Sequence, residues 1–303
     1  MSLRKRLGME SSIGRRQIWG LFFVLPTVMF FVIFFLYPIL SGLLFSLTDF
    51  TLLRPPVWVG LENYADLFND RLFLKSIGVT LGFVVGTTIP VWILSLLAAL
   101  AFYQLFPGRE FLKTLFFVPV LPSLVVVAIV WRIIVHPSGM LTTMLYPFTG
   151  LGEINWLNNP TSSPLTMVLI NNWTTIPFYM LIWLAGLSGI PRELRDAALV
   201  DGANRIQSFF RVELPLLRPT AVFVVAISTI NAFQAFTLQY TISPGRGGPI
   251  DVNTTMGLLI WKYGFQYYRM GDASAVSVVL FAIILLVTAT QLGLSRSDQH
   301  SLG

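Results

Sequence analysis

Six apolar runs, each near the length a helix needs to cross a bilayer, organise this chain: 18–40, 73–102, 111–135, 165–187, 219–236 and 273–294. A membrane span takes about 20 mostly apolar residues, because every backbone amide must be satisfied within its own segment when lipid surrounds it. The runs predict an all-α integral membrane protein of about six spans. Pro26, Pro90, Pro122 and Pro177 fall inside them. Each removes a backbone donor, so kinks facing protein or a cavity are expected at these positions. The first run follows Arg4, Lys5, Arg6, Arg15 and Arg16 and so resembles the basic start of a signal peptide. It exceeds the usual signal core of about 7–15 residues and no small-x-small cleavage site follows, so it is read as a retained first span. The organisation expected is a short N-terminal segment 1–17, a membrane domain 18–294 and a tail 295–303.

Composition agrees with the runs. Hydrophobic residues make up 55% of the chain and charged residues 11%, against a soluble average of roughly 25% charged. The net charge of +6 is carried by cations scattered singly or in pairs, not gathered on one dense face, so nucleic acid is not an expected partner. With no cysteine, a disulfide framework and a thiol nucleophile are excluded. His136 and His300 are the only histidines, so no metal site is expected.

The cations orient the chain. If the N-terminus is cytoplasmic, that side holds thirteen Lys and Arg: five in 1–17, Arg109, Lys113, five in 191–219, and Arg296. The other side holds the remaining seven of the 20: Arg54, Arg71, Lys75, Arg132, Arg246, Lys262 and Arg269. Positive charge favours the cytoplasmic side, so both termini and the 191–219 segment are expected there. The external stretches 49–71, 137–164 and 237–272 are rich in Gly, Pro, Asn and aromatics and predict small ordered caps. Trp58, Trp156, Trp261, Tyr263, Tyr267 and Tyr268 would form an interfacial belt there, or touch an external protein.

The segment 191–219, PRELRDAALVDGANRIQSFFRVELPLLRP, is the polar island between the fourth and fifth runs. It holds five arginines and four acids, which lipid cannot accommodate. A helix should start at Pro191, with Glu193 and Asp196 in its first turns where the helix dipole favours negative charge. Ala197, Ala198, Gly202 and Ala203 leave a shallow surface for close approach. A turn near 202–204 should lead to a second short helix with Phe209, Phe210 and Val212 as its apolar stripe. Two readings fit the residues equally: a knob that docks in another protein, and an amphipathic connector lying on lipid headgroups.

The run D-A-A-x-x-D-G-A-x-x-x-x-x-F-x-x-V-x-L-P, at 196–215, resembles the EAA motif of permease subunits of binding-protein-dependent ABC importers, in particular the carbohydrate-type branch. The likeness extends to LPTVMFFVIFFLYPIL at 25–40, SLTDF at 46–50, VGLENYADLF at 59–68, GGP at 247–249 and GDASAVSVVLF at 271–281. One departure is Asp196, where glutamate is usual; it keeps the charge and shortens its reach. The resemblance implies a prokaryotic cell-membrane protein that pairs with a second homologous permease. It also implies two ATP-binding cassette subunits, which receive the coupling loops, and an extracytoplasmic solute-binding protein. By that likeness Asp196, Ala197, Ala198, Asp201 and Gly202 sit in the ATPase cleft, and Leu214 and Pro215 pass motion to the fifth span. No G-x-x-x-x-G-K-[ST] occurs, so ATP and magnesium are expected only on partner chains, and this chain is expected to be non-catalytic.

A sugar path needs uncharged polar groups at membrane depth. Asn171 and Asn172 in the fourth run, Asn231 and Gln234 one turn apart in the fifth, and Ser123 after Pro122 in the third are candidates. Helix-to-helix glue is the competing use of such amides. Ser123, Asn171, Asn231 and Gln234 fall near positions that line the cavity in similar permeases, which selects them as the expected path. A same-family permease for a non-sugar solute and an ion-coupled carrier are the alternatives. An intramembrane enzyme is disfavoured by the lack of clustered acids, histidines or nucleophiles.

Overall fold

A computed structural model describes residues 19–20, 22–104, 106–149, 155–243 and 247–297 of the chain. His300, Glu153, Arg246 and the N-terminal cations lie outside the described residues. The helices in chain order are α1 (Phe22–Phe45), α2 (Glu62–Asn69), α3 (Arg71–Tyr103), α4 (Arg109–Phe117), α5 (Leu124–Ile134), α6 (Met140–Thr149) and α7 (Ser162–Ser188). There follow α8 (Arg192–Val200), α9 (Arg205–Ser208), α10 (Leu214–Leu216), α11 (Arg218–Phe233), α12 (Thr237–Ile242), α13 (Met256–Trp261) and α14 (Met270–Ser297). An antiparallel hairpin, β1 (Thr48–Thr51) and β2 (Arg54–Trp58), is the only sheet among the described residues. Pro55 and Pro56 sit on its edge strand, where a missing amide donor costs no ladder bond.

Among the described residues, five helical segments are long and apolar enough to cross a bilayer: α1, α3, α7, Arg218–Ile242 and Met270–Leu294. A sixth is broken. The expectation of one continuous, kinked span over 111–135 is corrected here, because the halves Arg109–Val120 and Leu124–Ile134 meet at 91°. Pro119 lies just before the break and Pro122 within it, and together they strip the ladder of two donors. Pro90 and Pro177 by contrast lie within unbroken helices.

Lipid is as apolar as leucine, so helices associate through close packing and polar contacts more than through water exclusion. α3 and α7 illustrate both. A Cβ on Gly86 would stand 3.1 Å from Cγ2 of Val168, so the two helices approach closely there. Asn172 Nδ2 donates to the Gly86 carbonyl at 3.1 Å and Trp183 Nε1 donates to Ser95 Oγ at 3.0 Å. Trp92 Nε1 donates to Ser228 Oγ at 2.7 Å and brings α11 into the bundle. Around these bonds Val91, Tyr179, Met180, Trp183, Leu187 and Val224 form one buried cluster. α1 behaves differently: none of its most apolar stretch is buried, and only its last turns meet α14 and the hairpin.

The hairpin end carries the ordered caps that the loop composition predicts. Asn63, buried, donates through Nδ2 to the carbonyls of Ser46 and Thr48 at 2.8 and 2.9 Å, which ties α2 to the end of α1. A Cβ on Gly271 would come within 2.2 Å of the Thr48 carbonyl, so α14 meets the hairpin where only glycine fits. Asp70 caps α3 by accepting from the Leu72 amide at 2.7 Å and also accepts from the Tyr263 hydroxyl. Burial first, and then the Asp70 carboxylate, push the Tyr263 hydroxyl well above its ordinary pKa. Gly247 and Gly248 take φ of +70° and +75° to turn the chain. Beyond them Lys262, almost fully buried, donates to Asp251 at 2.6 Å.

Candidate functional site

The segment 191–219 folds at the opposite end from the hairpin, between the end of α7 and the start of α11. Pro191 is the N-cap of α8, as its fixed φ suits, and Glu193 lies in the first turn. Gly202, at φ +83°, makes the turn. Asn204 then opens α9 with a capping box: its Oδ1 accepts from the Gln207 amide at 2.8 Å, and Gln207 Oε1 accepts from the Asn204 amide at 2.9 Å. A π turn, Phe209–Glu213, leads through α10 to the buried Leu217 at the head of α11.

α8 stands clear of the bundle. Asp196, Ala197, Asp201 and Gly202 are exposed, with Ala198 half-buried. Leu194, Leu199 and Val200 are exposed too, Val200 at 87%. Leu214 is half-buried and Pro215 exposed. A short helix with small residues and bare apolar side chains is a protein-sized knob.

One residue secures the knob, and its charge alone did not single it out. The Arg195 side chain turns inward from α8. Nη2 donates to the Leu187 carbonyl at 3.0 Å, Nη1 donates to the Tyr103 hydroxyl, and Nε lies 3.4 Å from Glu213 Oε1. Its guanidinium also stands 4.5 Å from the centre of the Tyr103 ring. The planar fork of arginine, with several donors and a stackable face, suits it to hold three elements at once. α8 is thereby bound to α3, α7 and the π turn before α10. Arginine in a polar segment reads as a solvated charge, so only the inward geometry reveals this role.

The path candidates separate into two kinds. Asn172 is buried, and its bond to the Gly86 carbonyl makes it glue, with Oδ1 left without a partner. Asn231 and Gln234 are exposed along α11, and Asn171 is half-buried. Asn231 Nδ2 donates to the Tyr179 hydroxyl at 3.2 Å. Ser123 is exposed and caps α5 by accepting from the Val126 amide at 3.4 Å. Among the described residues, no hydrogen bond joins any two of Ser123, Asn171, Asn231 and Gln234. At 100° per residue Asn171, Thr175 and Phe178 share one face of α7, opposite Trp173 and Ile176. Gln234 marks a break in the fifth span: α11 ends there and α12 resumes after Phe236. The freed Ala235 carbonyl is satisfied by Thr255 Oγ1 at 2.7 Å. An interrupted helix that exposes amides at membrane depth offers hydrogen-bonding groups to a polar solute.

Among the described residues no group of three or more His, Cys, Asp or Glu could hold a metal ion.

Comparisons with known proteins agree with this architecture. The chain is 36% identical over 281 residues to the probable ABC transporter permease protein YesP of Bacillus subtilis, covering 91% of this chain and 90% of the relative. It is 31% identical over 281 residues to the trehalose/maltose transport system permease protein MalF of Thermococcus litoralis, covering 91% and 93%. In fold it resembles a chain of a bacterial alginate ABC transporter solved in complex with an alginate pentasaccharide-bound periplasmic protein. There the TM-score is 0.80 at 22% identity, over 93% of this chain and 96% of that one. The family of binding-protein-dependent transport system inner membrane components matches residues 18–299, which takes in the whole of the membrane domain, and the chain belongs to that family.

Proposed function

We propose that this chain is the permease subunit of an ATP-driven importer that moves a sugar, an oligosaccharide or a related polyol or sugar phosphate into the cell. The observation that carries the reading is α8, an exposed knob held to α3, α7 and the π turn before α10 by Arg195. A separate ATPase subunit receives that knob in a cleft, with Asp196, Ala197, Ala198, Asp201 and Gly202 at the contact. Closure of two such subunits on ATP moves the knob, and Leu214 and Pro215 carry the motion into α11. A second homologous permease completes the pathway and an extracytoplasmic solute-binding protein delivers the solute. ATP and magnesium belong to the partner chains, and this chain has no catalytic role. Both termini face the cytoplasm, as the thirteen-to-seven division of Lys and Arg favours.

The sugar class is supported by the exposed amides of Asn231 and Gln234, by the uncharged polar side chains of Asn171 and Ser123, and by a sugar-transporting relative. Uncharged amides match hydroxyl groups without attracting ions. The test is reconstitution of the chain with its neighbouring permease and ATPase, reading ATP hydrolysis as candidate solute-loaded binding proteins are added. Stimulation by a sugar-loaded protein is the expected result. Stimulation only by a protein loaded with an amino acid or another non-sugar solute would overturn the sugar class.

A further inference from the structure

Two cavities meet at Phe102, near the end of α3, and their chemistries are opposite. The first, of about 800 Å³, lies between α8 and the ends of α3, α4 and α7. Arg109, Lys113, Arg192, Arg195 and Arg205 line it, with Asp196 the only acid among the lining residues. Glu110, which does not line the cavity, is engaged by both Arg109 and Lys113, and Glu213 by Arg195. Arg192 and Arg205 form no ion pair among the described residues. The second cavity, of about 620 Å³, is apolar and lined by Leu112, Leu115, Phe116, Trp173 and Ile176 together with Phe102.

α4 joins the two. Arg109 and Lys113 follow one flank of its first turns, while Leu112, Leu115 and Phe116 follow the adjacent flank and run deeper toward the middle of α7. Phe111 is exposed on the outer side, at 72%, as a lipid-facing helix requires. The order along α4 is cations at the membrane surface and then apolar side chains further in. That is the shape of an amphiphile with an anionic head. The second cavity also lies on the Trp173 face of α7, away from Asn171, Thr175 and Phe178.

We propose that this site binds one anionic phospholipid of the leaflet on the 191–219 side, with its phosphate between Arg109, Lys113, Arg192 and Arg205 and an acyl chain in the Leu112–Trp173 cavity. Basic pockets between membrane helices at this surface suit phosphodiester headgroups, and the charge surplus favours an anionic lipid over a zwitterionic one. Because α8 supplies Arg192 and its neighbour α9 supplies Arg205, a bound headgroup bridges the knob to α4 and stiffens its seat. The inference rests on the membrane placement of this chain, and its link to the knob rests on the proposed importer.

The experiment is native mass spectrometry of the complex purified with its partner chains, after equilibration with equal phosphatidylglycerol and phosphatidylcholine. The expected result is selective retention of phosphatidylglycerol, reduced about tenfold in Arg109→Gln/Lys113→Gln and likewise in Arg192→Gln/Arg205→Gln. Leu115→Trp, which fills the apolar cavity without changing charge, should lower retention of both lipids. Inorganic phosphate at millimolar concentration should not displace the lipid. Equal retention of the two lipids by the unaltered complex, or unchanged retention in both charge variants, would overturn the proposal. Charge variants that release the ATPase while holding phosphatidylglycerol as before would also overturn it, assigning these cations to the partner. If the chain retains phosphatidylglycerol selectively but no ATPase purifies with it, the lipid site stands and the importer reading falls.

Discussion

Arg195 in α8 and Glu213 at the end of the π turn stand 3.4 Å apart, Nε to Oε1, so the two arms of the 191–219 segment close on each other across the Gly202 turn. Their side chains are 14% and 15% exposed, so the pair is largely shielded from water and from salt. Breaking such a pair by removing one member costs about 3 kcal/mol, since the remaining charge is left uncompensated. Arg195→Met should therefore loosen α8 from α3 and α7 while leaving the spans intact. The expected outcome is a complex that assembles but hydrolyses ATP with at least a tenfold weaker response to loaded binding protein. Arg195→Lys should recover part of that response, because it keeps the charge and loses the fork. An unchanged response in Arg195→Met would remove the strut role.

Asp201→Arg combined with Gly202→Trp attacks the exposed tip of the knob. Both residues lie outside the spans, so insertion should be unaffected. The left-handed turn at Gly202 adds strain of about 1–2 kcal/mol for any side chain placed there. Co-purification of the ATPase subunit should be lost, and its normal recovery would reject the docking assignment.

Asn231 and Asn172 should respond oppositely. Asn231→Leu replaces an exposed amide, so assembly is expected to persist while transport falls. Asn172→Leu removes a buried donor and leaves the α3–α7 contact without its bond to the Gly86 carbonyl, at a cost of about 1 kcal/mol. Reduced thermal stability in detergent with solute specificity retained is expected there. Two variants with the same phenotype would contradict the division into path and glue.

Much of this was legible from hydropathy alone, because lipid imposes a simple rule: the backbone must satisfy itself, so apolar length reports span. The rule fails where protein replaces lipid around the backbone. The 91° break near Pro119 and Pro122 is such a place, since neither proline by itself distinguishes a kink from a broken span. The hairpin Thr48–Trp58 escaped because its strands are short and carry Pro55 and Pro56. At the loop, Gly202 and the Pro191 cap follow from backbone chemistry and were readable. Arg195 was not, because its role depends on Tyr103 and Leu187, which are remote along the chain or hidden in a span. Lys262 likewise counted as an external charge, although its burial against Asp251 makes it part of a cap.

Gly271→Val should be severe. The added Cβ would meet the Thr48 carbonyl at 2.2 Å, and backbone cannot yield as a side-chain tip does. Loss of the hairpin docking, seen as new protease cleavage near 48–58 and lower yield of folded protein, is expected. Gly78→Val, where a Cβ meets nothing within 4 Å, is the matched control and should fold normally.

α1 has no buried residue in its most apolar stretch, so the rest of the chain places no shape requirement on those side chains. Any preference there for one apolar residue over another must be written by whatever lies outside this chain. A tolerance map of every substitution across 22–36 would consequently be an imprint of that neighbour: uniform where lipid touches the helix, selective in a stripe where protein does.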